Sequence, residues 1–494
     1  MKAPEQAYRY QMWVGGRPVE AVSGRRFVRE SPAHGVPVGE YPFAEREDVD
    51  LAVAAARKAF EEGPWPKLSG AERAKLLLKG AEQIRTHAEE LALIETLESG
   101  KPIAQARFEM EWAAGLWDYA ATLARHVYGD TYNALGAEAV GLVFREPIGV
   151  VGMITPWNFP LLIISQKLPF ALAVGCTAVV KPSELTPGTT LRLAELLAAA
   201  GIPPGVVNVI SGEGIPAGAH LAGHPEVDMI SFTGSTEVGR AILQSAGTNL
   251  KRVGLELGGK NPHIIFADAD LDAALEAAVF GVYFNAGQCC NSGSRLLVQS
   301  TVAERVLEAI ISRSKSVPVG DPLDERTKVG PLVSEEQLAK VEMYVSLGIQ
   351  QGARLCTGGS RLPMRPGRYF APTVFENVSP EMRIAKEEIF GPVLAVIQFR
   401  DAEEAARIAN NTMYGLSAGV WTRDVDTALS MCRSIRAGTI WVNSFMDGAP
   451  ELCFGGYKQS GLGRELGRFS IGEFTELKTV YLKLGAKGSS WLRD

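Results

Sequence analysis

The stretch "GVVGMITPWNFP", Gly149–Pro160, decides the fold class. Its apolar run reads as a short buried strand, and the proline-bracketed turn leads into a helix. The pattern then repeats. "TAVVK" precedes a helix opening at Thr186-Pro187, "GVVNVI" follows, "DMISF" leads to a helix from Ser235, and "RVGLE" closes the series. Short apolar strands alternating with helices are βαβ units of a parallel sheet covered on both faces. This part is therefore expected to be a doubly wound α/β domain.

After "GLELGGKNP" the alternation restarts: "HIIF", a helix capped near Asp270 and running towards Phe284, "RLLV", and a helix from Val302 to Lys315. A second α/β domain is placed from about residue 258. Upstream, Ser69 and Glu72 have capping-box spacing, and a helical apolar pattern continues, with one break, to Gly100. Two further segments alternate like exposed strands, "EAVGLVFREPIG" and "FTELKTVYLKLGA". Either is a candidate unpaired edge, open to another subunit.

A chain of 494 residues needs two or three lobes around separate cores. Its net charge, 50 − 56 = −6, comes without long runs of one sign, so nucleic acid and anionic membranes are not expected as partners. "MKAPEQAYRYQMWVGG" lacks the features of a secretory signal, and the longest near-apolar stretch, Leu168 to Val180, is too short to span a bilayer. A cytoplasmic location is expected. The six cysteines (Cys176, Cys289, Cys290, Cys356, Cys432 and Cys453) form no disulfide framework, and no CxxC pair or His-rich spacing suggests a metal. Adjacent Cys289 and Cys290 could bridge only through a strained ring, which leaves free thiols.

"GLELGGKN", Gly254–Asn261, nearly matches a phosphate-cradling loop, but Asn261 stands where a magnesium-binding hydroxyl must be, and Glu256 would repel phosphates. Its glycines instead suit a tight path that brings Glu256 to a reacting centre. "FTGSTEVG", Phe232–Gly239, turns at Gly234 and starts a helix at Ser235, which suits a pyrophosphate or is a plain strand-helix turn. Lys181 and Glu184 of "VVKPSE" leave the end of a buried strand, where open α/β sheets bind ligands. A carboxylate there could accept both ribose hydroxyls and would repel a 2′-phosphate; the alternative is an ordinary surface pair. In "YFNAGQCCNSGSR", Tyr283–Arg295, the cysteines follow a helix and a Gly-Gln turn, and a short helix beginning just after them would offer its amides to a thiolate. Burial as small apolar residues is the other reading. No histidine lies near this turn, since the last of six is His263, and the base that sequence order offers is Glu256.

"PWNFP", "VVKPSELTPG", "FTGSTEVG", "LELGGKNP", "GQCCNSGSR", "EEIFGPV" and "LCFGGYKQSGLGRELG" together resemble the NAD(P)-dependent aldehyde dehydrogenase superfamily, in the family's order from Pro156 to Gly467. The resemblance implies a Rossmann-like cofactor domain (1–127 and 148–257), a catalytic domain (258–460), and a small β oligomerisation element with the C-terminal segment (128–147 and 461–494). It implies a homodimer or homotetramer. Cys290, the second residue after Gln288, matches the family nucleophile. Glu256 matches the base that activates water, and Asn158 the oxyanion donor, with the Cys290 backbone N–H as the other. Lys167 joins the implied catalytic set, and Glu465 matches a position that takes the proton from Glu256.

The cofactor implied is NAD, with NADP as the second candidate. Its matching positions are Ile154, Thr155, Pro156, Trp157, Lys181, Ser183, Glu184, Phe232, Gly234, Ser235, Val238, Leu257, Glu388 and Phe390. The aldehyde tunnel matches Phe159, Ile163, Gln166, Phe284, Cys289, Asn291, Gly448, Cys453 and Phe454. Gln166 and Gly448 replace aromatics common elsewhere, so the expectation is a roomy, partly polar tunnel for medium-sized or hydroxylated aldehydes, ill suited to cation–π capture. An aminoaldehyde- or betaine-aldehyde-type member is the nearest alternative. Acyl-transferring relatives usually lack the glutamate. A cysteine esterase would need no NAD, and a structural protein keeping only the fold should have lost Cys290, Asn158 or Glu256.

Overall fold

The computed structural model describes residues 6–485, so residues 1–5 of the N-terminal reading and 486–494 of the C-terminal segment lie outside the described residues. Nine helices recur below: α1 (Arg46–Glu61), α2 (Gly70–Thr86), α3 (Ala88–Ser99), α4 (Ile103–Ala124), α5 (Pro160–Val174), α6 (Gly188–Ala200), α7 (Ala219–Gly223), α8 (Thr236–Ala246) and α9 (Leu271–Tyr283). The capping box predicted at Ser69 forms, with the Ser69 N–H donating to Glu72 at 2.8 Å and the Glu72 N–H to Ser69 Oγ at 3.3 Å. The helical run ahead breaks once, at His87, and ends at Gly100, whose φ of 80° is the left-handed conformation that closes α3.

Five parallel strands make the centre of an eight-stranded sheet, in the spatial order Arg252–Glu256, Met229–Thr233, Val150–Ile154, Thr177–Lys181, Val207–Val209. Val150–Ile154 and Thr177–Lys181 are buried at every residue, as strands sandwiched between helices must be, which is why they read as unbroken apolar runs. From Val150–Ile154 the chain steps outward one way to Val207–Val209 and then crosses to the other side. The crevice at the carboxyl ends of Val150–Ile154 and Met229–Thr233 is thus a topological switch point. Short antiparallel strands close both flanks, and one of them, Gly461–Leu462, returns from far along the chain to pair with Leu255 and Glu256.

A second sheet of seven strands is built from residues 262–442, with Pro262–Ile265 and Arg295–Gln299 parallel neighbours near its centre. Three large apolar clusters underlie these sheets, two on the first and one on the second, as the chain length requires. The two exposed strand patterns pair with each other: Thr475–Lys483 runs antiparallel to Ala139–Pro147 over nine residues, and Asp130–Tyr132 covers the other side. Ala139–Pro147 is therefore a central strand and not an edge, which corrects the first reading. Only Thr475–Lys483 of the two keeps a free side.

Candidate active site

The site lies where the carboxyl ends of the first sheet's strands meet the amino ends of the second's. Glu256 is the last residue of its strand, and the chain turns at once through Gly258 and Gly259 into the strand starting at Pro262. Those glycines allow close approach. A Cβ on Gly258 would sit 2.5 Å from a Glu388 carboxylate oxygen, and one on Gly259 2.5 Å from the Cys290 carbonyl. The Gly259 N–H donates to Glu388 at 2.9 Å, and the Asn261 side-chain amide donates to the Cys290 carbonyl at 2.7 Å. One tight turn thereby holds the backbone on either side of the candidate nucleophile and base.

Cys290 is approached through Asn285, Ala286 and Gly287, all in the left-handed region with φ of 51°, 56° and 72°. Two of the three are not glycine, so the turn stores strain that its surroundings must hold. Gly287 itself is obligatory, because a Cβ there would lie 2.2 Å from the Gly391 carbonyl. The expected helix after the cysteines does not form. Cys290 and Asn291 make a turn, and the chain runs extended into Arg295–Gln299 because that strand must start there to join the sheet. Helix amides therefore do not lower the thiol. A hydrogen bond with Cys289, then burial, pushes Cys290 well above the usual thiol range, so the resting side chain is a neutral thiol.

Asn158 is buried, its amide donating to the Gln288 carbonyl at 3.1 Å, while its Oδ1 has no partner. Glu256 is 5% exposed, and its Oε2 likewise lacks a partner. Burial first, and then the neighbouring Glu465 charge, raises its carboxyl well above the usual range. Behind it Lys167, fully buried, forms an ion pair with Glu465 and lies 3.2 Å from Ser231 Oγ. Glu465 is raised by burial too, with Lys167 opposing.

Glu256, Cys289, Cys290 and Asn291 open onto one cavity of about 590 Å3, which also takes in Phe159, Ile163, Gln166, Phe284, Gly448, Cys453 and Phe454. Every residue expected in the tunnel is there, but the lining differs from expectation. Eight aromatic rings face it: Phe108, Trp112, Phe159, Phe280, Phe284, Trp441, Phe445 and Phe454. Trp112 takes the room left by Gly448, since a Cβ at Gly448 would be 3.1 Å from its ring. The partly polar tunnel is thus corrected to an aromatic one. Phe108 and Trp112 belong to α4, upstream of every tunnel motif, where only their unexplained size marks them.

Near the switch point, Ser235 caps α8 by accepting the Val238 N–H at 3.3 Å, and Gly234 lets the backbone pass the Phe232 ring, which a Cβ there would meet at 2.4 Å. Beneath it the Phe232 ring is 4% exposed, and Ile154 and Leu257 are buried in the same apolar cluster. These three pack under the crevice, and Leu257 also lines the cavity that Cys290 opens onto. Thr155 is buried beside them; Ser183 spends its hydroxyl on the Leu185 N–H at 3.2 Å; Pro156 precedes Trp157, whose ring meets Phe390 edge-on at 5.3 Å. Two of the three N–H bonds of the Lys181 ammonium go to the Pro182 and Gly212 carbonyls at 2.9 Å each, and its nitrogen lies 3.9 Å from Glu184. Glu184 remains the open acceptor, its side chain 39% exposed.

The sequence profile of the "Aldehyde dehydrogenase family" matches residues 19–480. The chain belongs to that family. A crystal structure of an NAD-dependent aldehyde dehydrogenase from Sinorhizobium meliloti is 55% identical, with a TM-score of 0.97 over 98% of this chain and 96% of that one. Betaine aldehyde dehydrogenase of Bacillus subtilis is 45% identical over 91% of this chain and 92% of its own. The betaine aldehyde dehydrogenase of Staphylococcus aureus, solved in complex with NAD+, is 38% identical with a TM-score of 0.96, covering 98% of this chain and 96% of that one. This aldehyde dehydrogenase is accordingly an oxidoreductase on a mixed α/β fold.

Elsewhere on this aldehyde dehydrogenase, one grouping escaped the sequence reading. His220 and His224, four residues apart at α7, meet Asp50 of α1 with Nε2–Oδ1 distances of 2.6 and 3.3 Å. The Glu226 N–H donates to His224 Nδ1 at 3.1 Å, which leaves that ring's proton on Nε2, facing Asp50. A surface hydrogen-bonded trio explains the arrangement without a metal. Among the described residues no helix is long and apolar enough to cross a membrane.

Proposed function

We propose that this aldehyde dehydrogenase oxidises aldehydes with an apolar, preferably aromatic, body to carboxylic acids, using NAD. Cys290 and Glu256 open onto one aromatic cavity, and the Asn158 amide is tied to the Gln288 carbonyl two residues before Cys290; this arrangement carries the reading. Cys290 gives its proton to water in the open cavity and, as the thiolate, attacks the aldehyde carbon, forming a thiohemiacetal oxyanion held by the Asn158 amide and the Cys290 N–H. Each such donor contributes about 2.7–4 kcal/mol. NAD, when bound, would accept the hydride that the adduct must give up to become a thioester. Glu256 then takes a proton from water, which attacks the thioester and frees the acid. Lys167 and Glu465 lie behind it as the route by which that proton leaves.

The residues present fit the cofactor. The α8 start after Gly234 suits a pyrophosphate, and Glu388 and Phe390 lie beside the Cys290 turn for the nicotinamide ribose. Glu184, with its side chain 39% exposed, can accept the ribose hydroxyls and would repel a 2′-phosphate, which favours NAD over NADP. The same reading divides the chain into a cofactor domain, a catalytic domain and a β element. The free side of Thr475–Lys483 and its exposed Leu477, Tyr481 and Leu482 favour a homodimer or homotetramer. Light scattering should then give a multiple of 53.1 kDa, and a monomer at micromolar concentration would refute the assembly. All six cysteines are free, which fits work in the reducing cytoplasm.

Substrate preference has its own test. Phe108, Phe280 and Leu452 are exposed at the lining, giving the tunnel an apolar mouth. Across a panel, kcat/KM should be higher for benzaldehyde and hexanal than for glycolaldehyde by about tenfold or more, and Trp112→Ala should narrow the gap. The rings could also take up a quaternary ammonium, as the names of two relatives suggest. A panel dominated by betaine aldehyde would favour that second reading.

A further inference from the structure

The stretch "ETLESGKPIAQARFE", Glu95–Glu109, contributes no ring to the tunnel mouth before Phe108, yet it carries four charged side chains that are almost wholly buried: Glu95, Glu98, Lys101 and Glu109. Burying charge is costly unless each group is paired and its remaining lone pairs are used. Lys101 donates to Glu95 at 3.0 Å and forms an ion pair with Glu109, and its ammonium lies 4.5 Å from the centre of the Phe159 ring. The carboxylate oxygens left over reach into the active-site segments.

Helix α5 begins two residues after Asn158, and its start is badly provided for. The N-cap position is Phe159, which offers no side-chain acceptor, and Pro160 has no N–H, so the first orphan donor is Leu161 N–H. Glu95 Oε1 accepts it at 2.8 Å, acting as a cap supplied from another helix. Glu98, one turn on, accepts the Gly188 N–H at 3.1 Å in the same manner at α6, whose own N-cap is Pro187. On the other side Gln105 joins the cluster by donating to Glu109 at 2.8 Å, and its Oε1 accepts the Asn285 N–H at 3.2 Å, at the head of the strained left-handed turn that leads to Cys290.

We propose that the buried Glu95–Lys101–Glu109–Gln105 cluster positions the reaction centre, holding the Asn158 segment through Leu161 and the Cys290 turn through Asn285 in one fixed relation. None of the four touches the reacting atoms by this account; they act through the backbone of those that do. The inference rests on the roles proposed above for Cys290 and Asn158. A misplacement of about 1 Å between nucleophile and oxyanion donor is enough to cost about a hundredfold in rate.

Two variants test it. Gln105→Ala removes only a half-buried amide, so it should fold, and it releases the Asn285 N–H. Glu95→Leu removes the cap and leaves Lys101 paired with Glu109, so that no charge is left buried alone. Each should lower kcat per titrated Cys290 by about ten- to hundredfold, with KM and NAD+ affinity held within about twofold, and should change the rate and pH profile of Cys290 alkylation by iodoacetamide. Glu95→Gln, whose amide oxygen can still accept from Leu161, should recover most of the rate. Folded variants with wild-type kcat and alkylation would overturn the proposal, as would a lower Tm with unchanged kcat per titrated thiol. Alkylation needs neither NAD nor aldehyde, so a wild-type enzyme that makes no NADH would count against the proposed reaction and not against the clamp.

Discussion

Cys290→Ala should abolish aldehyde-dependent NADH formation, a loss of about 10⁴-fold or more, whereas Cys289→Ala should keep activity within about threefold. The two thiols differ by environment and not by chemistry. Cys289 is 6% exposed and packs with Phe159 and Ile163, so its loss trims a wall of the tunnel. Cys290 has its carbonyl pinned by Asn261 and its turn held open towards Glu256 and the cavity. Because the Cys290 thiol stands well above its usual range, less of it is ionised at neutral pH than of an ordinary cysteine. Its alkylation in the protein without cofactor should therefore be slow at pH 7 and climb steeply above the usual thiol range. Equal losses in the two variants would remove the assignment.

Glu256→Gln should separate the two halves of the reaction. At about pH 9, where more of the thiol is ionised, mixing with NAD+ and benzaldehyde should give a burst of about one NADH per subunit, then turnover slowed by about 10²–10⁴-fold. The amide keeps the shape of the carboxyl but cannot take a proton from water. Wild-type turnover should rise with pH across the neutral range, since burial and Glu465 raise the Glu256 carboxyl and only its ionised form is a base. That limb should vanish from the variant. A variant with neither burst nor turnover would place Glu256 before thioester formation.

The parallel strands were legible because burial on both faces writes itself into the sequence as short, mostly apolar runs, as in Val150–Ile154. Helix starts with local caps, Ser69, Ser235 and Asp270, were legible for the same local reason. What stayed hidden is non-local. Glu95 caps a helix through Leu161, 66 positions later, and nothing near Leu161 announces it. Trp112 fills the space at Gly448 from a different domain motif altogether, so counting aromatics at the expected tunnel positions underestimated the rings present. The turn at Asn285–Gly287 has two left-handed residues with side chains, and local preference argues against it. There the tertiary contacts of Gly287 with Gly391 outweigh propensity, which is also why the helix expected beyond Cys290 gives way to an extended segment.

The central claim is that oxidation passes through an acyl group on one cysteine, and peptide mapping tests it most directly. Glu256→Gln, quenched in acid within the burst after mixing with NAD+ and benzaldehyde, should carry one benzoyl group on the peptide containing Cys289 and Cys290, with fragmentation assigning it to Cys290. A benzoyl group on Cys289, or NADH formed in the burst with no acylated cysteine, would contradict the account.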